Sequence, residues 1–354
     1  MRKLDSREEI AKIDIKDVLG SIESLPDQCL HAWQEADKIH IPNNFKSAKN
    51  IVMAGMGGSG LGARVIESVF SDSLKIPFHR VHNYNLPAFV NQDSLVICST
   101  YSGNTEEVIS TARQAIAKKA KWIAVTTGGE LLDLAKKHQV PTYLINPKHN
   151  PSNQPRMAIG YSVVGQLVLV SKTEVIKFTQ KDVESMTKAM RSVIDNNKVE
   201  NKESKAKQLA NQMKGRIILY ISADHLIGAM HTVNNQLNEN AKNISVDYQI
   251  PELNHHLMEG LKHPAANSGN LIAVLADSDL YAHRIQKRFN ITQQVFEKNN
   301  INTFVYKTKS SSKLAQAFEL IQFGAYSNLY LSILYDQNPA VIPWVDYFKE
   351  KLSQ

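Results

Sequence analysis

The sequence is poor in cysteine, with only Cys29 and Cys98 in 354 residues. Two thiols cannot build the disulfide framework of a small secreted domain. It is also sparing in proline, 12 in all, and only 21% of it is charged, a composition unlike a collagen or a disordered chain. Long apolar runs are missing. The richest, Ile159 to Val170, contains Gln166 and stops after 12 residues, short of the roughly 18 that a membrane span needs. The opening Met1-Arg2-Lys3-Leu4-Asp5-Ser6-Arg7-Glu8-Glu9 carries charges where a signal peptide needs an apolar stretch. A soluble, cytoplasmic protein with no membrane partner is the expectation. What is present, 43% apolar residues, suffices for a sizeable core. At roughly 150 residues per domain the length suits two domains and some extra.

Lysine and arginine outnumber aspartate and glutamate by 41 to 34, a net charge of +7. Such a surplus suits an anionic partner. The lysines are densest at Lys118-Lys119, Lys136-Lys137 and Lys198 to Lys207, with no long basic block and no interleaved aromatics. Most read as solvated helix faces. The footprint of a nucleic-acid binder is missing, and a small anionic ligand stays open.

Residues 1 to about 46 read as helical, with Ile10, Ile13, Ile15, Val18, Leu19 and Ile22 set between charges. Short apolar runs then alternate with helical patterns. Asn50 to Ala54, Ser94 to Ser99, Trp122 to Thr127 and Val140 to Ile145 read as strands. A lysine-rich helical stretch from about Thr179 to Lys214 precedes a second cycle, with strands at Arg216 to Ser222, Asn270 to Leu275 and Ile301 to Tyr306. Helices from about Lys313 to Asp336 and Val341 to Leu352 close the chain. Alternation of this kind predicts an α/β fold with parallel sheets covered on both faces. The matched spacing of the two cycles predicts a duplicated unit. In the second copy, Ser222-Ala223-Asp224-His225 stands where the first has glycines.

Those glycines, Gly55-Met56-Gly57-Gly58-Ser59-Gly60, lie at a strand-to-helix junction, where backbone N–H groups and the helix dipole favour an anion. Gly55, Gly57 and Gly60 fit a dinucleotide fingerprint, but the acid it needs near the end of the second strand is missing from Leu74 to Val81. A tight βα turn is the plainer reading. A second junction, Thr100-Tyr101-Ser102-Gly103-Asn104-Thr105, sets three hydroxyls at the end of a parallel strand. Helix capping needs one of them, not three. Three can hold a phosphate without a metal or a lysine.

Together the two loops resemble a sugar isomerase (SIS) domain. With Gln154-Pro155-Arg156, Asn238-Glu239-Asn240-Ala241-Lys242 and Pro251-Glu252-Leu253-Asn254-His255, the chain resembles the bifunctional phosphoglucose/phosphomannose isomerases from about Asn50 to its C-terminus. The resemblance implies two tandem SIS-type, flavodoxin-like αβα subdomains: 47–190, binding phosphate, and 191–354, carrying the catalytic residues and a C-terminal helix. Residues 1–46 form a helical extension outside it. The implied chemistry is aldose–ketose isomerisation of glucose 6-phosphate and mannose 6-phosphate with fructose 6-phosphate, through a cis-enediol and without metal or organic cofactor. Gly57, Gly58, Ser59, Thr100, Ser102 and Thr105 match the phosphate loops, with Thr100 where serine is frequent. Glu239 matches the base and Arg156 the residue that stabilises the enediolate. His255 matches a ring-opening histidine donated by a neighbouring subunit, which implies a homodimer. Lys349 matches a C-terminal lysine that assists it.

Some alternatives stay open. His256 follows His255 where the family usually has asparagine, so either histidine can be the acting one. Adjacent histidines seldom share a metal ion, because their side chains diverge on a strand or a helix. Lys351 is the alternative to Lys349. Two other functions compete: an isomerase for another sugar or amino-sugar phosphate, and a non-catalytic sugar-phosphate sensor, which would keep the hydroxyl loops without Glu239, His255 and Lys349.

Overall fold

A computed structural model describes residues 3–352; the two residues at each end, which fall in the expected first and last segments, lie outside it. The N-terminal segment forms α1 (Arg7–Ala11), α2 (Val18–Glu23) and α3 (Leu25–Ala36). Its apolar positions go inward, with Ile10, Val18 and Ile22 buried, whereas Ile15 is exposed.

The first sheet contains β1 (Asn50–Gly55), β2 (Phe78–Val81), β3 (Ser94–Ser99), β4 (Lys121–Thr126) and β5 (Thr142–Leu144). Its order is β2-β1-β3-β4-β5, and every pairing is parallel. Helices α4 (Leu61–Phe70), α5 (Glu106–Ala117) and α6 (Gly129–Lys137) connect the strands. Residues 51–55, 94–99 and 122–126 are buried throughout, as expected of parallel strands covered on both faces.

Three helices lead to the second half: α7 (Gly165–Lys172), α8 (Gln180–Asn197) and α9 (Lys205–Met213). A capping box, with Thr179 and Asp182 each bonded to the other's backbone, starts α8. Most lysines of this stretch face solvent, but Lys207 is buried, donating to Asp5 (2.7 Å) and to the Val199 carbonyl (2.6 Å).

The second sheet is built from β6 (Ile217–Ser222), β7 (Ser245–Gln249), β8 (Leu271–Asp277) and β9 (Asn302–Lys307), in the order β7-β6-β8-β9, again all parallel. Its helices are α10 (Ile227–Ala241), the short α11 (Leu257–Gly260) and α12 (Asn267–Asn270), α13 (His283–Lys298), α14 (Lys313–Leu334) and α15 (Pro343–Leu352). Residues 314–333 of α14 are all buried, which accounts for a helix with apolar residues on every side. It packs on α8, α9 and α10, and residues of both halves share one hydrophobic core. Among the described residues no helix is long and apolar enough to cross a membrane.

Candidate active site

In the first sheet β1 lies between β2 and β3, and Gly55 pairs with Ser99. The loops that follow therefore leave the sheet side by side, at the switch point where open α/β sheets bind ligands. The Ser59 hydroxyl accepts from the Tyr101 amide at 2.9 Å, tying one loop to the other. That bond leaves the hydroxyl's own proton to donate. Buried Gln166 braces both loops, donating to the Ser59 carbonyl (3.1 Å) and to Ser99 Oγ (2.9 Å).

Thr100, Ser102 and Thr105 converge. Thr100 Oγ1 lies 2.7 Å from Thr105 Oγ1 and 3.4 Å from Ser102 Oγ. Thr105 stands at the N-cap of α5 without a side-chain cap bond. Its hydroxyl is turned to Thr100, and the helix end keeps N–H groups for an anion. The second half treats its equivalent junction differently. There His225 is buried, its Nε2 2.8 Å from Gln316 Oε1, which also accepts from Ser278 Oγ (2.6 Å). An imidazole fills the second switch point.

The glycine loop also borders a second group of residues. Gly57 has φ +50°, and a Cβ on Gly58 would sit 3.2 Å from the Pro155 carbonyl oxygen and 3.3 Å from Arg156 Cα. Only glycine lets the loop lie flush against the Gln154-Pro155-Arg156 turn. On α10 the spacing of Gln236, Glu239 and Asn240 puts all three on the face toward that turn. Gln236 Nε2 donates to the Arg156 carbonyl at 2.9 Å.

Arg156 is the hub. Its Nε donates to Asn240 Oδ1 (2.6 Å), and Nη1 to Gln154 Oε1 (3.0 Å) and Glu239 Oε2 (3.3 Å). Nη2 donates to the carbonyls of Pro339 (2.7 Å) and Ala340 (2.8 Å). Five N–H groups thus meet five acceptors, the full complement of a guanidinium. The Arg156 side chain is 3% exposed and that of Glu239 32%. Burial raises the Glu239 carboxyl above its ordinary value, against the pull of Arg156, Lys349 and Lys242. Burial lowers Arg156, opposed by Glu239 and by Asp346 of α15. The result is a carboxylate of raised basicity on a fixed mount.

Lys349 lies on α15, a helix with no buried residue, near enough for its charge to act on Glu239. His255 closes the short turn Glu252–His255 beyond β7, and His256 follows it. Both are exposed, and among the described residues neither bonds to Glu239, Arg156 or Lys349. The structure thus brings Gly57, Gly58, Ser59, Thr100, Ser102, Thr105, Arg156, Glu239 and Lys349 to one region, and does not bring His255 there within the single chain. Sequence reasoning quoted Gln154, Asn240 and Lys242 within motifs but assigned them no part. Among the described residues no cluster of three or more His, Cys, Asp or Glu side chains could hold a metal.

Comparison with known proteins finds matches for both halves of the chain. Residues 44–171 match the SIS domain family, and residues 202–352 match the bacterial phospho-glucose isomerase C-terminal SIS domain. A bifunctional phosphoglucose/phosphomannose isomerase of Caldicellulosiruptor bescii is 32% identical over 340 residues, 94% of this chain and 98% of that protein. One of the same name from Aquifex aeolicus is 28% identical over 315 residues, 89% of this chain and 93% of that one. Among solved structures, a hypothetical protein of Thermus thermophilus superposes with a TM-score of 0.76 at 14% identity, covering 98% of this chain and 93% of its own. That likeness concerns the fold.

Proposed function

The chain belongs to the SIS-domain family of bifunctional phosphoglucose/phosphomannose isomerases, and from that premise we propose how its site divides the work. It is a sugar-phosphate isomerase. Its substrates on this reading are glucose 6-phosphate and mannose 6-phosphate, each interconverted with fructose 6-phosphate. The observation that carries the reading is the shared wall at Gly58. The hydroxyl loops that suit a phosphate and the Arg156–Glu239 pair that suits a proton transfer meet there, backbone against backbone.

The phosphate is held by the backbone of Gly57 and Gly58 and by the hydroxyls of Ser59, Thr100, Ser102 and Thr105. Binding it there fixes the sugar carbons relative to Glu239. Ring opening moves the proton of the anomeric hydroxyl to the ring oxygen, with Lys349 and a histidine as acid and base. Glu239 then takes the proton from carbon 2, leaving an enediolate, and returns it to carbon 1 while the hydroxyl protons redistribute. The reverse path regenerates either epimer, according to the face on which carbon 2 is protonated. A raised carboxyl pKa suits this work, because a base is most effective with a pKa close to the working pH. With its five N–H groups engaged, Arg156 contributes to the enediolate through its charge, and through its bonds it holds Glu239 in place.

His255 is exposed and separate from Glu239 within one chain, so on this reading a second copy supplies it, and the working unit is a homodimer. The decisive assay follows fructose 6-phosphate formation from glucose 6-phosphate and, separately, from mannose 6-phosphate, with EDTA-treated protein. Turnover of both is expected. Turnover of one narrows the substrate, and tight binding without turnover of either replaces the enzyme reading with a sensor.

A further inference from the structure

Helix α15 carries Lys349 but buries none of its side chains, so its placement depends on the turn that leads into it. Three consecutive carbonyls of that turn are gripped by cations. Lys242 Nζ donates to the Asn338 carbonyl, and Arg156 Nη2 to those of Pro339 and Ala340. The Asn338 side chain braces the same turn by accepting from the Ala340 amide at 2.9 Å. Lys242 also donates to the Asn240 carbonyl at 3.1 Å. One clamp therefore ties the end of α10, which carries Glu239, to the start of α15.

Lys242 occupies an unusual position for a lysine. It caps α10 with φ 52° and ψ 35°, in the left-handed region. Glycine or asparagine fills such caps most readily. A lysine there keeps a strained backbone and spends its side chain on the carbonyl of another segment.

We infer that Lys242 is a positioning residue of the isomerase, which with Arg156 clamps the 338–340 carbonyls and so sets where α15 holds Lys349 against Glu239. Only the kinetic consequence rests on the reading of Lys349 given above. The mechanical consequence, that α15 loosens without the clamp, stands apart from it.

The test uses the full chain with Lys242→Gly, Lys242→Met and Lys242→Arg, read by hydrogen exchange, thermal melting and kinetics. Lys242→Gly relieves the backbone while removing the clamp. It is expected to melt no lower than the parent while amides 341–352 exchange about tenfold faster and those of both sheets stay unchanged. Lys242→Met gives the same local loosening. In both, kcat falls about 10- to 100-fold, as misplacement of a reacting group by about 1 Å would cause, while KM changes little. Lys242→Arg, which keeps a cationic donor, restores the slow exchange and most of kcat. Unchanged exchange over 341–352, uniformly faster exchange, or an arginine variant no better than methionine overturns the inference. So does a shifted acid limb of kcat/KM without local loosening, since Lys242 would then act only through its charge on Glu239. A parent with no isomerase activity refutes the functional reading, and the exchange experiment still decides the clamp.

Discussion

Arg156 Nη1 donates to Glu239 Oε2 at 3.3 Å, from a guanidinium 3% exposed to a carboxylate 32% exposed. The arginine is fixed on its other sides by Gln154, Asn240 and two carbonyls, so the partner free to act on a ligand is the glutamate. Three segments of chain distant in sequence meet at this one side chain.

Substituting Glu239→Gln keeps an acceptor for Arg156 and removes the base. Turnover is expected to fall by about 10² to 10⁴, the usual contribution of a general base, while KM stays close to that of the parent. Steady-state kinetics on both aldose phosphates check this.

The same variant carries a stability signature. Burial raises the carboxyl of Glu239, so its protonated form is the one the fold favours. Its contribution to stability is fully present below the unfolded value of about 4.3 and is lost as pH rises through the higher folded value. Melting curves should show Glu239→Gln no less stable than the parent at pH 8, with any advantage gone below about pH 4. For the same reason the acid limb of kcat/KM in the parent should lie above the range of an ordinary carboxylate.

Arg156→Met strips five bonds from a buried hub. A loss of about 3–5 kcal/mol is expected, the usual result of leaving a buried partner unpaired. Removing the positive charge also pushes the Glu239 carboxyl further up, so the acid limb of any residual activity moves to higher pH. Denaturant unfolding and a pH–rate profile measure the two effects separately.

Gly58→Ala places a methyl against the backbone of Pro155 and Arg156 at 3.2–3.3 Å. The wall between the phosphate loop and the base must yield by a few tenths of an ångström. Stability should drop by no more than about 1 kcal/mol, whereas kcat/KM drops by an order of magnitude or more, because alignment across the wall is lost. Thr100→Val should instead act on substrate binding, raising KM about tenfold through the lost hydroxyl network, with kcat less affected.

The donated histidine makes a complementation prediction. Glu239→Gln and His255→Ala homodimers should each be inactive. Mixed and allowed to exchange subunits, they should recover roughly a quarter of parental activity, since half the dimers are hybrid and each hybrid has one intact site. No recovery would place His255 in the site of its own chain, and an active His255→Ala homodimer would place it outside the chemistry.

Much of this architecture was legible in the sequence. β1, β3 and β4 are unbroken apolar runs because the sheet is covered on both faces, and the loop hydroxyls stand where those strands end. Of the four edge strands, β5 and β9 were legible and β2 and β7 were not. Phe78–Val81 and Ser245–Gln249 each bury a single residue and mix His, Arg, Asp and Gln among their apolar positions, so neither gives a clear strand pattern. They are the second strand of each cycle, and without them the matching orders of the two sheets could not be read.

At the site, Glu239 and the hydroxyl loops were visible as motifs. The bonds that Arg156 makes were not, because two go to backbone carbonyls, which any residue supplies, and nothing in the residue types of Gln154, Glu239 and Asn240 pairs them with the arginine. Lys242 left a faint signal, a lysine where a helix ends and glycine is favoured. Its bond to the Asn338 carbonyl has no counterpart in residue type. The nearness of Lys349 to Glu239 depends on the same turn, and it was expected from the family resemblance alone.

The most direct measurement follows the proton. Fructose 6-phosphate is incubated with the enzyme in deuterium oxide, and the aldose products are examined by NMR for deuterium at carbon 2. Progressive incorporation by the parent, abolished in Glu239→Gln, is the expected result. Conversion without any incorporation would contradict a base that exchanges its proton with solvent, as a hydride shift does, and incorporation undiminished in Glu239→Gln would take the base away from Glu239.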